Sequence, residues 1–301
     1  MTAPVDTLAA ATIERRKARR ENWHLLRRRP SFIIGAIISL FWIVCAVLGA
    51  HITPYNPLNY TTKPKLSPRS GHWFGTDKIG RDVFSRVIAG ARDVLLVAPT
   101  AAVLGVIFGT ILGMIMGYRR GWVDLLLSRI IEALLALPVV LIGLLILTLA
   151  DTSPFLGSIT FHSRKVLVIY VVALLFTPIV ARTVRSAVIG ERELDYVTSA
   201  KLRGESGAFI MSREILPNIM GPIVVELTVR IGYAIFTVST LSFLGVGIQR
   251  PSPDWGLAIS EGRDLLRAGT WWPTTFPALA IATLVIGVNL IADAIQSVYE
   301  R

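Results

Sequence analysis

The chain has 301 residues, 53% hydrophobic and only 17% charged, with a formal net charge of +11. That balance excludes an ordinary soluble domain and fits a polytopic helical membrane protein. In a soluble protein such a charge would point to nucleic acid. Here the basic residues stand at the edges of apolar runs, where they set orientation in a membrane.

Residues 1–30 form a polar leader with Arg15, Arg16, Lys17, Arg19, Arg20, Arg27, Arg28 and Arg29. It is longer and more charged than a cleavable signal peptide. We read it as a cytosolic tail, either a short amphipathic helix or a solvated segment that serves topology alone. Residues 31–92 hold the first span, Phe32 to Ala50, and a Pro-rich outer segment with Pro54, Pro57, Pro64 and Pro68. About 20 apolar residues cross the hydrocarbon. Cys45 lies within this first run and is the only cysteine, which excludes an intrachain disulfide and a thiol metal site.

Residues 93–301 carry five more runs. The second, Leu95 to Gly117, is expected to break near Pro99 and to end at Tyr118-Arg119-Arg120-Gly121. The third, Leu125 to Leu149, contains Glu132 and a kink site at Pro138. The fourth is Val166 to Val188, the fifth Ile219 to about Leu244 and the sixth Phe276 to Val298. Gly245 to Pro273 reads as a polar loop whose Trp271 and Trp272 suit the outer interface. A basic leader held inside, followed by six spans, puts both termini in the cytosol. The outer segment fits this poorly, because it holds Lys63, Lys65, Arg69, Lys78, Arg81, Arg86 and Arg92.

Between the fourth and fifth runs lies an unusually long polar interruption, residues 190–217. Loops of this length are commonly functional. Leu194 to Leu202 reads as a short helix with Leu194, Val197 and Ala200 on one stripe. Gly204 and Gly207 break it, and Phe209 to Leu216 resumes an apolar run that Pro217 closes.

Charges within spans cost roughly 2.5–3.5 kcal/mol each and need a partner or water. Glu226 and Arg230 stand at i, i+4 on the fifth span, in the favourable order for an ion pair. They read either as a self-neutralising pair or as a patch on a translocation path. Asn289 and Asp293 share a face of the sixth span.

No catalytic constellation is recognisable. Gly75-Thr76-Asp77-Lys78-Ile79-Gly80 has phosphate-loop glycine spacing but continues Arg81-Asp82, where Lys and then Ser or Thr are needed. Gly245-Val246-Gly247 meets Arg250 where a dinucleotide fingerprint needs its third glycine. Histidines 24, 51, 72 and 162 are scattered.

Three segments together resemble a known family. His72 to Arg86 with Gly90-Ala91-Arg92 is similar to the GTDxxGRDxxSRxxxGAR segment of C-type permease subunits of dipeptide, oligopeptide and nickel ABC importers. Residues 190–217 resemble the EAA loop of importer permeases, with Gly204 and Leu216-Pro217-Asn218 matching beside Tyr196, Val197 and Ala200. Pro253-Asp254-Trp255-Gly256 and Glu261-Gly262-Arg263 resemble the family's outer loop. The EAA triplet here reads Thr198-Ser199-Ala200, and Glu214 replaces a basic residue.

The resemblance implies an all-α membrane protein of six transmembrane helices with the type I ABC importer permease fold, in the bacterial inner membrane. It implies a second, B-type permease subunit, two cytosolic ATPase subunits that bind ATP and Mg, and an extracytoplasmic binding protein. The chain itself then needs no cofactor and binds no nucleic acid. The loop, with Asp195, Tyr196, Val197, Ala200, Lys201, Arg203, Gly204, Glu214 and Pro217, would dock in an ATPase groove through its apolar stripe, Gly204 and the basic pair Lys201 and Arg203. Gly75, Thr76, Asp77, Gly80, Arg81 and Asp82 are read as turn and capping chemistry at the entry to the second span. Short peptides are the expected substrate, with nickel or another small solute as the alternative. A proton-coupled carrier would need repeats and broken midplane helices, which are not clear here. A scaffold without transport would not need the pattern from Gly204 to Pro217.

Overall fold

The computed structural model describes residues 26–60, 63–152 and 163–299. Most of the basic leader and the loop centred on residues 153–162 therefore lie outside the described residues. Nine helices carry the architecture of the described chain: α1 Pro30–Ile52, α2 Val83–Arg119, α3 Gly121–Leu135, α4 Val139–Thr152, α5 Arg164–Arg192, α6 Asp195–Leu202, α7 Met220–Phe243, α8 Trp255–Arg267 and α9 Trp272–Tyr299. Short helical turns, Gly207–Phe209, Ile210–Ile215 and Leu216–Asn218, join α6 to α7, the middle one being a π-turn.

Five of these helices (α1, α2, α5, α7 and α9) are long and apolar enough to cross a membrane. The bent pair α3–α4 supplies a sixth crossing if taken as one span. The expected kink at Pro138 is thus a full break: the two halves meet at 90°. The expected break at Pro99 is absent, and α2 runs unbroken through it for 37 residues. It starts at Val83, ahead of the second apolar run at Leu95, because the Asp82 carboxylate caps it by accepting from Ser85 N at 2.8 Å.

The dominant packing is α2 against α5. Gly105, Gly109, Gly113 and Gly117 repeat every four residues and turn one edge of α2 into a groove. A Cβ on Gly113 would stand 2.6 Å from the Ala181 carbonyl, and one on Gly117 2.7 Å from Val188 Cβ. Only glycine admits such an approach, the small-residue packing typical of membrane helices.

One large core joins Trp42 of α1, Val94 of α2, Leu147 of α4, Val172 of α5, Ile235 of α7, Trp255 of α8 and Leu284 of α9. A second cluster, at the far end of α2 and α5, collects Val184, Val188, Val197, Ala200, Ile210 and Ile215. The outward faces stay apolar, with Ile37, Val47, Phe236 and Ile286 all exposed, as lipid requires. The bundle thus has two distinct ends. Residues 63–82 and α8 form one; residues 193–219 and the α2–α3 turn form the other.

Candidate functional site

At the second end, α6 is fixed by its own chain. Val197 and Ala200 are fully buried against Ile210 and Ile215. This corrects the expectation that the whole stripe Leu194, Val197, Ala200 is free for a partner: only Leu194 stays exposed. A two-turn helix needs cover to persist, and the π-turn supplies it. The face left open holds Leu194, Thr198, Lys201, Leu202 and Arg203, with Leu202 85% exposed.

Gly204 ends α6 in a left-handed conformation, φ +79. Gly204 N donates to Lys201 O at 3.0 Å and Glu205 N to Ala200 O at 3.2 Å, the two bonds of a Schellman cap. No atom lies within 4 Å of a Cβ built there, so within this chain Gly204 serves backbone conformation and not close approach. Arg203 is partnered inside the loop, by Glu214 at 3.5 Å and Glu205 at 3.8 Å, exposed contacts worth little. Asp195 sits in the first turn of α6, and Pro217 is exposed within the last short turn. Tyr196 donates to Glu191 Oε2 at 2.6 Å; burial and that bond push its pKa up to about 12.

The start of the loop is bolted to the end of α2 by contacts that no local sequence pattern marks. Arg192 donates to the Tyr118 carbonyl at 2.6 Å and lies 5.7 Å from its ring centroid. Arg120 pairs with Glu193 at 2.9 Å. The only sequence signal was a Tyr-Arg-Arg terminus opposite an acidic-basic one.

At the first end, the motif residues build a buried clamp. Thr76, Asp77, Arg81, Asp82, Ser85 and Arg86 are all buried. Gly75 and Gly80 take positive φ, +71 and +87, and fold the chain back on itself. Asp77 accepts from Ile79 N, Arg81 N and Arg81 Nε at 3.0, 2.9 and 2.6 Å. His72 Nδ1 meets Asp82 Oδ1 at 2.8 Å. Capping and turn chemistry thus account for these side chains. A long-range contact was not foreseen: Glu261 of α8 accepts from Arg81, Arg250 and, at 3.1 Å, Arg86. Burial pushes the Glu261 carboxyl up, but Arg86 and Arg81 outweigh it and hold its pKa below the usual value.

The presumed polar loop from Gly245 to Pro273 contains α8, capped by Asp254 accepting from Leu257 N at 2.8 Å. Trp255 is fully buried and donates to Val87 O at 2.8 Å, beside Gly90. Two separated motifs are therefore one packed unit. Trp272 closes it, donating to Thr76 O at 3.0 Å.

Between the ends, Arg230 Nε donates to Glu226 Oε2 at 2.8 Å and Thr183 donates to Glu226 Oε1 at 2.8 Å. Asn289 and Asp293 are exposed and line a cleft of about 440 Å³ between α7 and α9, with Tyr233 and Phe236 opposite. Glu226 and Arg230 do not line this cleft, although Arg230 lies 5.4 Å from the ring centroid of Tyr233, which does.

A helical bundle with a buried clamp at one end and a folded, partly exposed loop at the other defines a multi-pass integral membrane subunit. The family described as "Binding-protein-dependent transport system inner membrane component" matches residues 109–301. That described as "N-terminal TM domain of oligopeptide transport permease C" matches residues 18–68. The dipeptide transport system permease protein DppC of Bacillus subtilis is 36% identical over 281 residues, 92% of this chain and 84% of the relative. The glutathione transport system permease protein GsiD of Escherichia coli is 37% identical over 283 residues, 93% of this chain and 89% of the relative. The chain belongs to the family of binding-protein-dependent transport system inner membrane components. It is a permease subunit of an ATP-binding-cassette system, in which ATP hydrolysis and external binding fall to separate components.

Proposed function

We propose that this chain is the C-type half of an importer for short peptides. It sits in the bacterial inner membrane with both termini cytosolic and pairs with a B-type permease. Two ATPase subunits that hold ATP and Mg grip the 190–217 loop, and the chain carries no cofactor of its own. The reading of peptides rests on relatives that transport dipeptides and glutathione. The observation that carries the coupling role is the open face of α6. Leu202 is 85% exposed on a helix whose inner face is fully buried, so this apolar side chain is presented on a fixed support, as a helix-in-groove contact requires. Lys201 beside it supplies charge for an acidic groove rim.

The test uses the complete complex in vesicles. Uptake is expected to need ATP and to survive collapse of the proton gradient; the reverse result sinks the importer reading. Gly204→Arg should leave the subunit inserted while ATP hydrolysis proceeds without uptake. Wild-type uptake in that variant removes the docking role.

A further inference from the structure

A cleft of about 570 Å³ opens where three spanning helices change from apolar to polar. The membrane-crossing stretch of α1, Pro30–Gly49, ends there. The apolar run of α2 begins at Leu95, just after Arg92 and Asp93, and that of α5 at Val166, just after Lys165. Ala46, Val47 and Gly49 give the cleft an apolar lining, residues 53–58 line it as the chain leaves α1, and Arg92, Asp93 and Lys165 supply its charge. Gly49 sets the level of α1 against α2: a Cβ there would stand 3.5 Å from Ile88 O and 3.6 Å from Ala89 Cα. Arg92 and Asp93 follow one turn further along α2, so the charged groups lie at the edge of the hydrocarbon. The volume falls within the roughly 300–1,000 Å³ of small-molecule sites.

The charges in the cleft do not balance. Asp93 has both oxygens engaged, Oδ1 by Lys165 Nζ at 2.5 Å and Oδ2 by Ser252. Arg92 is exposed and has neither a hydrogen bond nor an ion pair among the described residues. Arg81 and Arg86 of the same motif segment are consumed by Asp77 and Glu261, so Arg92 is the motif cation that the clamp leaves over. A guanidinium at this depth is costly unless an anion or water meets it. The α1 surface beside it is lipid-facing, with Val44 and Val47 42% and 72% exposed. An anionic head joined to an apolar tail satisfies both surfaces at once.

We propose that this cleft is a phospholipid site. Arg92 holds the headgroup phosphate, for which a guanidinium offers paired donors, and Lys165 adds to the field. An acyl chain lies along Ala46 and Val47. Because both Asp93 oxygens are taken, no carboxylate is left for a headgroup ammonium. Phosphatidylglycerol is therefore preferred to phosphatidylethanolamine or phosphatidylcholine. The inference rests on the membrane placement of α1, α2 and α5 and not on the solute carried.

The test uses the whole complex in phosphatidylcholine nanodiscs that contain a little phosphatidylglycerol with a photoreactive diazirine on one acyl chain. Cross-links to residues 46–58 are counted relative to those around Ile37, on the exposed face of α1. In the wild type this ratio should be about fivefold higher than with a phosphatidylcholine probe of the same chains, the contribution of one basic side chain beside anionic lipid. Arg92→Gln should abolish the preference and Arg92→Lys should keep most of it. Thermal midpoints should match throughout, since no ion pair within the described residues is lost. Equal labelling by the two probes in the wild type means ordinary lipid contact and overturns the proposal. So does an unchanged preference in Arg92→Gln. Competition by excess free glycerol phosphate would assign the cleft to a soluble phosphate ester instead. Absence of labelling at residues 46–58 would mean that another subunit covers the cleft, and the lipid site falls.

Discussion

The ring of Tyr118, at the end of α2, lies against the backbone of Gly207 in the loop: a Cβ on Gly207 would stand 2.9 Å from Tyr118 Cε1. Arg192, the last residue of α5, donates to the Tyr118 carbonyl, so Tyr118 meets α5 through its backbone and the loop through its ring. The loop is thus anchored against two membrane-spanning helices. Tyr118→Ala should loosen this by about 1–2 kcal/mol, less than the 3–5 kcal/mol of a fully buried aromatic because Tyr118 is half-buried. That is about tenfold in the population of detached loop. ATP hydrolysed per peptide moved should rise accordingly, while Tyr118→Phe matches the wild type because the hydroxyl makes no hydrogen bond among the described residues. Equal stoichiometry in the alanine variant would show that the ring is not part of the linkage.

Glu261 is the centre of the clamp, 6% exposed at its side chain and facing Arg81, Arg86 and Arg250. Glu261→Gln leaves three guanidinium groups around a neutral amide. Removing one member of a buried ion pair costs about 3–5 kcal/mol. The thermal midpoint of the purified complex should fall sharply. Arg250→Gln, whose side chain is 61% exposed, should cost under about 1 kcal/mol. Equal shifts in the two variants would mean that the buried cluster is not the support.

Much of this was legible in the sequence. The fifth run was expected from Ile219 to about Leu244 and is Met220–Phe243, because a span has only one way to satisfy its backbone in lipid. The motif residues Asp77, Arg81 and Asp82 were expected to act as turn and cap, and short-range spacing suffices for that. What stayed hidden was pairing across the chain. Glu261 lies 180 residues from Arg81, and no local pattern links them. Asp254 and Trp255 looked like loop residues because α8 is too short to register as an apolar run. The α6 stripe was visible, but not what covers it: Ile210 and Ile215 reach Val197 only through a π-turn that periodicity does not predict. The glycine spacing from 105 to 117 is a local signal of close helix packing, and it does not name the helix that fills the groove.

Asp254 gives the fold a pH dependence of defined sign. Its carboxyl is fully buried, and burial raises its pKa from 3.8 to about 6. Between these values the folded chain binds a proton that the unfolded chain does not. Asp254 therefore contributes less stability as pH rises from about 4 to 6, and above 6 the buried charge is a standing cost. Asp254→Asn keeps an acceptor for Leu257 N and removes the titration. The gap in thermal midpoint between variant and wild type should favour the variant at pH 8 and shrink or reverse at pH 5. A gap that does not move with pH would assign the observed dependence to other groups.

Asp293 and Glu226 are both acids on spanning helices, yet the structure gives them different circumstances. Glu226 is held by Arg230 and Thr183, and its side chain is 13% exposed. Asp293 is exposed beside the cleft between α7 and α9 and has no ion pair among the described residues. Asp293 lies six residues from the end of α9, where an exposed carboxylate persists because water or substrate reaches it. Glu226→Gln should therefore act on stability, by about 3–5 kcal/mol. Asp293→Asn should leave the thermal midpoint nearly unchanged, as expected within about 0.5 kcal/mol for an exposed site. Its effect should fall on peptide uptake, measured as a changed rate or KM in vesicles at constant ATPase assembly. If Asp293→Asn transports as the wild type does, the cleft is not on the path. If Glu226→Gln instead changes uptake without loss of stability, the path runs along the other face of α7, past the ion pair.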